Sequence, residues 1–246
     1  MLRPVPRRAL SDGVFDQLRD QIVSGALPAG SPLPAERLLC EAFAVNRSSV
    51  REALRRLEQA RLVSVRHGAT PRVLDYRRHA GLDLLADLLV QPSGLPDTEV
   101  IRGIVEMRSA IAPDVARLAA LRGGEAARAR LLPVLERMAE AQGDPVALQD
   151  LAAEYWSELV DASGNVAYRL AYNSLRASYD QSRALFTHVL AAETGDVEAH
   201  RALADAIGRG DAEDARARAH ALVERGETAL CAALAALDLA AARGAR

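Results

Sequence analysis

Arg47 and Arg51 stand four residues apart with Ser48 and Ser49 between them, so on a helix the two guanidinium groups share one face. In a DNA major groove an arginine can donate two hydrogen bonds to one guanine. Hydroxyls at a helix start can meet phosphate, helped by the positive end of the helix dipole. The surroundings are basic: between Arg47 and Arg72 seven arginines face only Glu52 and Glu58. A polyanion contact accounts for that excess, and so does a solvated charged face. Arg55 and Arg56 fit the second description, because Glu52 or Glu58 can pair with them.

A second group of residues suits binding. Aromatic residues make up 4% of the chain, yet Tyr155, Trp156, Tyr172 and Tyr179 fall close together. They can line a ligand cavity or simply fill a core. Arg108 lies among Ile104, Val105, Ile111 and Val115, and a buried arginine needs an anion. A ligand carboxylate or phosphate would serve, as would an internal glutamate such as Glu106 or Glu154. His200 and His220 have no companion carboxylate at ligand spacing, so no metal is assigned; histidines hydrogen-bonded along a cavity are expected.

Several chemistries are excluded. All 31 basic residues are arginine, which removes the lysine that a Walker A loop or a pyridoxal-phosphate Schiff base requires. Cys40 and Cys231 lie far apart and are expected as free packing residues. No nucleophile–base pair or carboxylate cluster stands at motif spacing, so an enzyme is not expected. No apolar run is long enough for a membrane span and no signal-peptide core follows the basic N-terminus, so no membrane contact is expected and a cytoplasmic location is.

The elements that must position these groups follow from the apolar pattern. Ser11 is expected to cap a helix carrying Val14, Leu18 and Ile22 and ending at Gly25. Pro28, Gly30 and Pro32 break it, and Pro34 opens a second helix burying Leu38, Leu39 and Phe43. A short turn at Ala44, Val45 and Asn46 leads to a third helix over Arg47–Gln59, with Val50, Ala53, Leu54 and Leu57 on one stripe. That pair of helices is a helix-turn-helix. The runs 62–65 and 72–74 flank a tip with His67, Gly68 and Pro71 and read as a hairpin wing. A small, flat tip at His67 and Gly68 can enter a minor groove.

From about Arg77 onward the pattern is helical, with breaks expected at 92–96, 123–124, 143–145, 163–165, 194–196 and 208–211. These divide it into six or seven helices. The fold expected is therefore mostly α, a winged helix-turn-helix over residues 1–76 and an all-helical bundle over 77–246. Charge divides at the same place: residues 1–76 hold 12 Arg against 8 acidic residues, the remainder 19 against 25.

The run SGALPAGSPLPAERLLCEAFAVNRSSVREALRRLEQARLV resembles the DNA-binding domain of the GntR family of bacterial regulators. The later segments EMR (106–108), ARLAA (116–120) and DASGN (161–165), with His200 and His220, are similar to the helical effector domain of its FadR branch. The resemblance implies a homodimer on double-stranded operator DNA, with Arg37 as a further DNA contact. It implies a small-molecule effector bound by the second domain. Many relatives hold a divalent metal through an aspartate and a histidine four residues later, together with two distant histidines. Here the first two positions are Ala152 and Trp156. The fatty-acid-responsive members lack that pair too, and their aromatic ligand contact falls on Tyr179. Two effector classes follow from the resemblance: a fatty acyl-CoA, or a small carboxylate with or without a metal.

Overall fold

The computed structural model describes residues 7–65, 70–91, 93–181 and 183–244. Contacts divide them into two compact units. One runs to Leu84 and takes in Gln91–Gly94; the other comprises Leu85–Val90 and Leu95 onward.

The first unit orders as α1 (Arg7–Val23), α2 (Glu36–Phe43), α3 (Arg47–Gln59), β1 (Val63–Ser64), β2 (Arg72–Val73) and α4 (Tyr76–His79), closing on a 3-10 turn at Leu82–Leu84. Val14, Phe15, Leu18 and Ile22 of α1 pack with Val50, Ala53, Leu54 and Leu57 of α3, all buried. α3 has the expected bounds. Asn46 caps it by accepting the Ser49 N–H at 2.9 Å. α1 starts earlier than expected, so Ser11 is a buried interior residue and not its cap.

The start of α2 is also corrected. Pro34 lies ahead of the helix, because the chain before it is drawn onto the wing. Gly30 donates to Val73 O at 2.8 Å, Val73 to Ser31 O at 2.9 Å and Leu33 to Pro71 O at 2.8 Å. That extended run, with a bridge between Pro32 and Arg72, buries Leu33 and delays the helix to Glu36. Of the three residues expected to be buried on α2 only Leu39 is; Leu38 is exposed and Phe43 half-buried. The wing itself is antiparallel, pairing Val63 with Val73 and Ser64 with Arg72. His67 and Gly68 lie outside the described residues.

The second unit is helical: α5 (Leu85–Leu88), α6 (Thr98–Arg122), α7 (Gly124–Glu140), α8 (Pro145–Ala162), α9 (Val166–Gln181), α10 (Arg183–Phe186), α11 (Ala191–Thr194), α12 (Val197–Gly208) and α13 (Ala212–Gly244). Each expected break occurs. Asp97, Asp144 and Asp196 cap α6, α8 and α12 with their carboxylates. α6 and α13 run antiparallel along one another, tied by Arg102 and Thr98 to Asp238 at one end and Ser109 to Glu227 further along. The core between α6, α7, α8, α12 and α13 is built from small and branched residues such as Ala116, Ala119, Leu131, Leu135, Leu159, Leu203, Ile207 and Leu222. Two interruptions were not expected: the chain leaves the helix at 80–81, after α4, and turns over 187–190, between α10 and α11. No described helix is long and apolar enough to cross a membrane.

Candidate nucleic-acid interface and effector cavity

α3 presents a polar edge because its apolar stripe is spent on α1. Arg47, Ser48, Arg51 and Arg55 are exposed on it, while Ser49 is buried with only 4% of its surface accessible. A phosphate contact from the Ser49 side chain is therefore corrected: its backbone N–H is held by Asn46 and its hydroxyl faces inward. Ser48 keeps an exposed hydroxyl, 2.6 Å from the Asn46 side-chain oxygen. Arg47 has no carboxylate partner among the described residues. Arg51 pairs with Glu36 at 3.0 Å, Arg37 with Glu41 at 2.7 Å and Arg55 with Glu52, all on the exposed side. Arg56 differs. Its guanidinium sits 4.2 Å from the Phe15 ring centre and pairs with Asp12, not Glu58, so it joins α3 to α1.

The helical unit holds a half-open cavity of about 170 Å³ between α6, α8, α9 and the α10–α11 segment. Its wall is largely apolar, with Ile101, Ile104, Val105, Ile111, Val115, Val160, Leu175 and Leu190 among the lining residues. Four of the seven residues expected at an effector site line it: Arg108, Trp156, Tyr172 and Tyr179. Ala152 and Trp156, where metal-binding relatives would carry their aspartate and histidine, both face it. The Tyr179 ring stacks on Phe186 with centres 5.6 Å apart, and burial pushes its phenol up to about 12. The Tyr172 phenol is raised by burial too, and it donates to Ala153 O.

The remaining three lie elsewhere. Tyr155 is fully buried in the core behind the wall; its hydroxyl donates to His200 O at 2.8 Å. The His200 ring meets Tyr155 edge-on at 4.9 Å and hydrogen-bonds Asp196 O through Nδ1 at 2.8 Å, so it too is a packed core group. Burial lowers its pKa to about 4. His220 is exposed on α13. The described residues bring no three His, Cys, Asp or Glu side chains together as a metal site.

Arg108 has its anion, and it is neither Glu106 nor Glu154. Glu193 on α11 takes the guanidinium with both carboxylate oxygens, Nη1 to Oε2 at 2.9 Å, while Glu154 pairs with Arg137. Burial works against the Arg108 charge, and the charge and hydrogen bonds of Glu193 more than offset it, leaving its pKa above the ordinary value. Nothing in the local sequence names Glu193, which sits 85 residues from Arg108 in a short turn. A signal did exist at its neighbour Gly226: a glycine inside a long helix is costly unless another group must come close.

Residues 10–73 match the family model described as bacterial regulatory proteins, gntR family, and residues 103–225 match the FCD domain. The chain is 42% identical over 95% of its length, and 96% of the relative's, to the HTH-type transcriptional regulator Mce2R of Mycobacterium tuberculosis. It is 28% identical to the galactonate operon transcriptional repressor of Escherichia coli, covering 87% of this chain and 93% of that one. It is 30% identical to the fatty acid metabolism regulator protein of Serratia proteamaculans, over 65% of each. Among solved structures, Lar of Listeria monocytogenes superposes with a TM-score of 0.58 at 15% identity, covering 94% of this chain and 98% of that one.

Proposed function

The chain belongs to the GntR family of bacterial regulatory proteins and carries an FCD domain, and from that premise we propose that it is a cytoplasmic, homodimeric repressor released from its operator by a fatty acyl-CoA. Residues 1–76 read DNA and residues 77–246 hold the effector and join the two protomers. Arg47 and Arg51 contact bases, Ser48 and Arg37 the backbone, and the genes controlled are those of fatty acid metabolism. A dimer presents two recognition helices to a symmetric operator, which one domain alone would bind weakly.

The observation that carries the effector class is the cavity wall: Ala152 and Trp156 put an apolar surface where metal-binding relatives coordinate their ion. A cavity of about 170 Å³ takes a group the size of a benzene ring or a short chain. A longer acyl chain must extend through the open side or move the wall, and wall movement is the means by which ligand binding would reach the DNA-reading helices. A small carboxylate is the second reading, favoured by the likeness to the galactonate operon repressor and opposed by the occupancy of Arg108 by Glu193.

Thermal unfolding of the purified protein against acyl-CoAs of graded chain length, small carboxylates and zinc tests this, since a ligand of the folded state raises Tm. A rise that grows with acyl length and is absent with zinc supports the acyl reading. A rise only with metal or short carboxylates overturns it and leaves DNA binding untouched.

A further inference from the structure

The inference here rests on the cavity being the effector site. Arg108 and Glu193 both line the cavity, Arg108 with 28% of its side-chain surface accessible and Glu193 with 2%. A guanidinium has five N–H donors, and the two-point grip of Glu193 uses two. Glu193 leaves the other three unused, but the charge they share is already matched. The second arginine on the wall, Arg176, has its own carboxylate, Asp180, at 2.8 Å. Tyr172 and Tyr179 on α9 are protonated phenols, and His200 on α12 is neutral and turned into the core. The described wall therefore offers hydrogen-bond donors without a spare positive charge.

The placement of Glu193 is built into the opposing helix. A Cβ at Gly226 of α13 would overlap the Glu193 carboxylate, so a side chain there would drive Glu193 off its seat. Glycine is unfavourable inside a helix, and its presence at this contact keeps the ion pair intact.

We propose that Glu193 sets the specificity of the cavity: by neutralising Arg108 it selects a ligand whose enclosed part is uncharged and bears a carbonyl acceptor, an ester, thioester or ketone, and it rejects the matching free carboxylate. A carboxylate entering beside Arg108 would share one cation with Glu193 and leave a net negative charge among apolar walls, which is costly. An ester carbonyl accepts from the spare donors and brings no charge.

Trp156 is the single tryptophan and lines the cavity, so its fluorescence reports occupancy directly. Full-length protein is titrated at neutral pH with methyl hexanoate and with hexanoate. The ester is expected to bind about tenfold or more tightly than the acid, the size of preference a matched against an unmatched enclosed charge produces. Glu193→Gln frees the Arg108 charge and should shift the ratio toward hexanoate by about the same factor. Arg108→Met with Glu193→Gln, an uncharged pair, should restore the ester preference. Equal or tighter binding of hexanoate to the unaltered protein overturns the inference while leaving the cavity as the effector site. So does an unchanged ratio in a Glu193→Gln protein whose circular dichroism is native. If neither probe perturbs Trp156 while a longer acyl-CoA raises Tm, the inference is overturned and the proposed function stands; if no acyl-CoA raises Tm either, both readings fall.

Discussion

The exposed ion pairs of α2 and α3 are of a kind that DNA can take apart. Arg51–Glu36 and Arg37–Glu41 lie in solvent, where such pairs are worth about 0–1 kcal/mol, against about 1–3 kcal/mol for a two-point guanine contact. Arg51 and Arg37 can therefore exchange their carboxylates for DNA at little cost, and Arg47 has none to lose among the described residues. Arg47→Ala and Arg51→Ala should each weaken operator binding by about 1–3 kcal/mol and relax base preference, read by fluorescence anisotropy at fixed salt. Folded variants that bind as before would remove these residues from the interface. His200 supplies a pH test. Its imidazole stays neutral in the folded chain down to pH about 4, whereas in the unfolded chain it takes a proton near 6.5. Between those values unfolding takes up one proton, so stability falls as pH falls, by on the order of 3 kcal/mol across the window. His200→Asn, which can keep the hydrogen bond to Asp196, should flatten that slope in urea titrations run between pH 4 and 7. The need of Arg108 for an anion was legible in its apolar neighbours. The identity of the anion was not, because only the tertiary fold brings Glu193 beside it.

Ala44 and Gly226 run against local preference, and each marks what an element must do. Ala44 ends α2 with φ 51°, left-handed, its N–H turned back to Glu41 O; this is the turn that aims α3. Left-handed backbone costs an L-residue about 1–2 kcal/mol, and the greater freedom of unfolded glycine returns about 0.5–1 kcal/mol of that. Ala44→Gly should thus stabilise the protein by about 0.5–1 kcal/mol, seen as a higher urea midpoint at constant slope. Gly226→Ala should do the reverse of what helix propensity, worth about 1 kcal/mol in favour of alanine, predicts: Tm falls because the new methyl meets Glu193. A higher Tm for that variant would mean that the Glu193 seat is loose. The same contrast explains what sequence could and could not reveal. α3 was legible to its ends because a preceding turn, an apolar stripe and a following strand run agree within one segment. The late start of α2 was not, since hydrogen bonds to Val73 and Pro71, far along the chain, hold Gly30–Leu33 extended. Nor was the turn over 187–190, where the apolar run continues but its residues are divided between the core and the cavity wall.

A basic DNA-reading unit and an acidic helical unit in one chain have a regulatory purpose only if their ligands are coupled. Coupling is a free energy, typically about 1–3 kcal/mol, and it is reciprocal: an effector that weakens operator binding by some factor must itself be bound more weakly on the operator by the same factor. That equality holds for any conformational route, so it tests the proposed function without presupposing how the bundle moves. The cavity is smaller than a long acyl chain, and coupling requires that the bound arrangement of α9 differ from the one described here. If operator DNA favours the arrangement described here, it should reduce acyl-CoA affinity in proportion. Titrating an acyl-CoA against Trp156 fluorescence, with and without saturating operator duplex, measures one factor; titrating operator with and without saturating acyl-CoA measures the other. Agreement of the two, at roughly five- to hundredfold, is the expected result. Two factors near unity, with both ligands bound, would mean that the cavity and the recognition helix share a chain but not an equilibrium, and the release mechanism would be excluded.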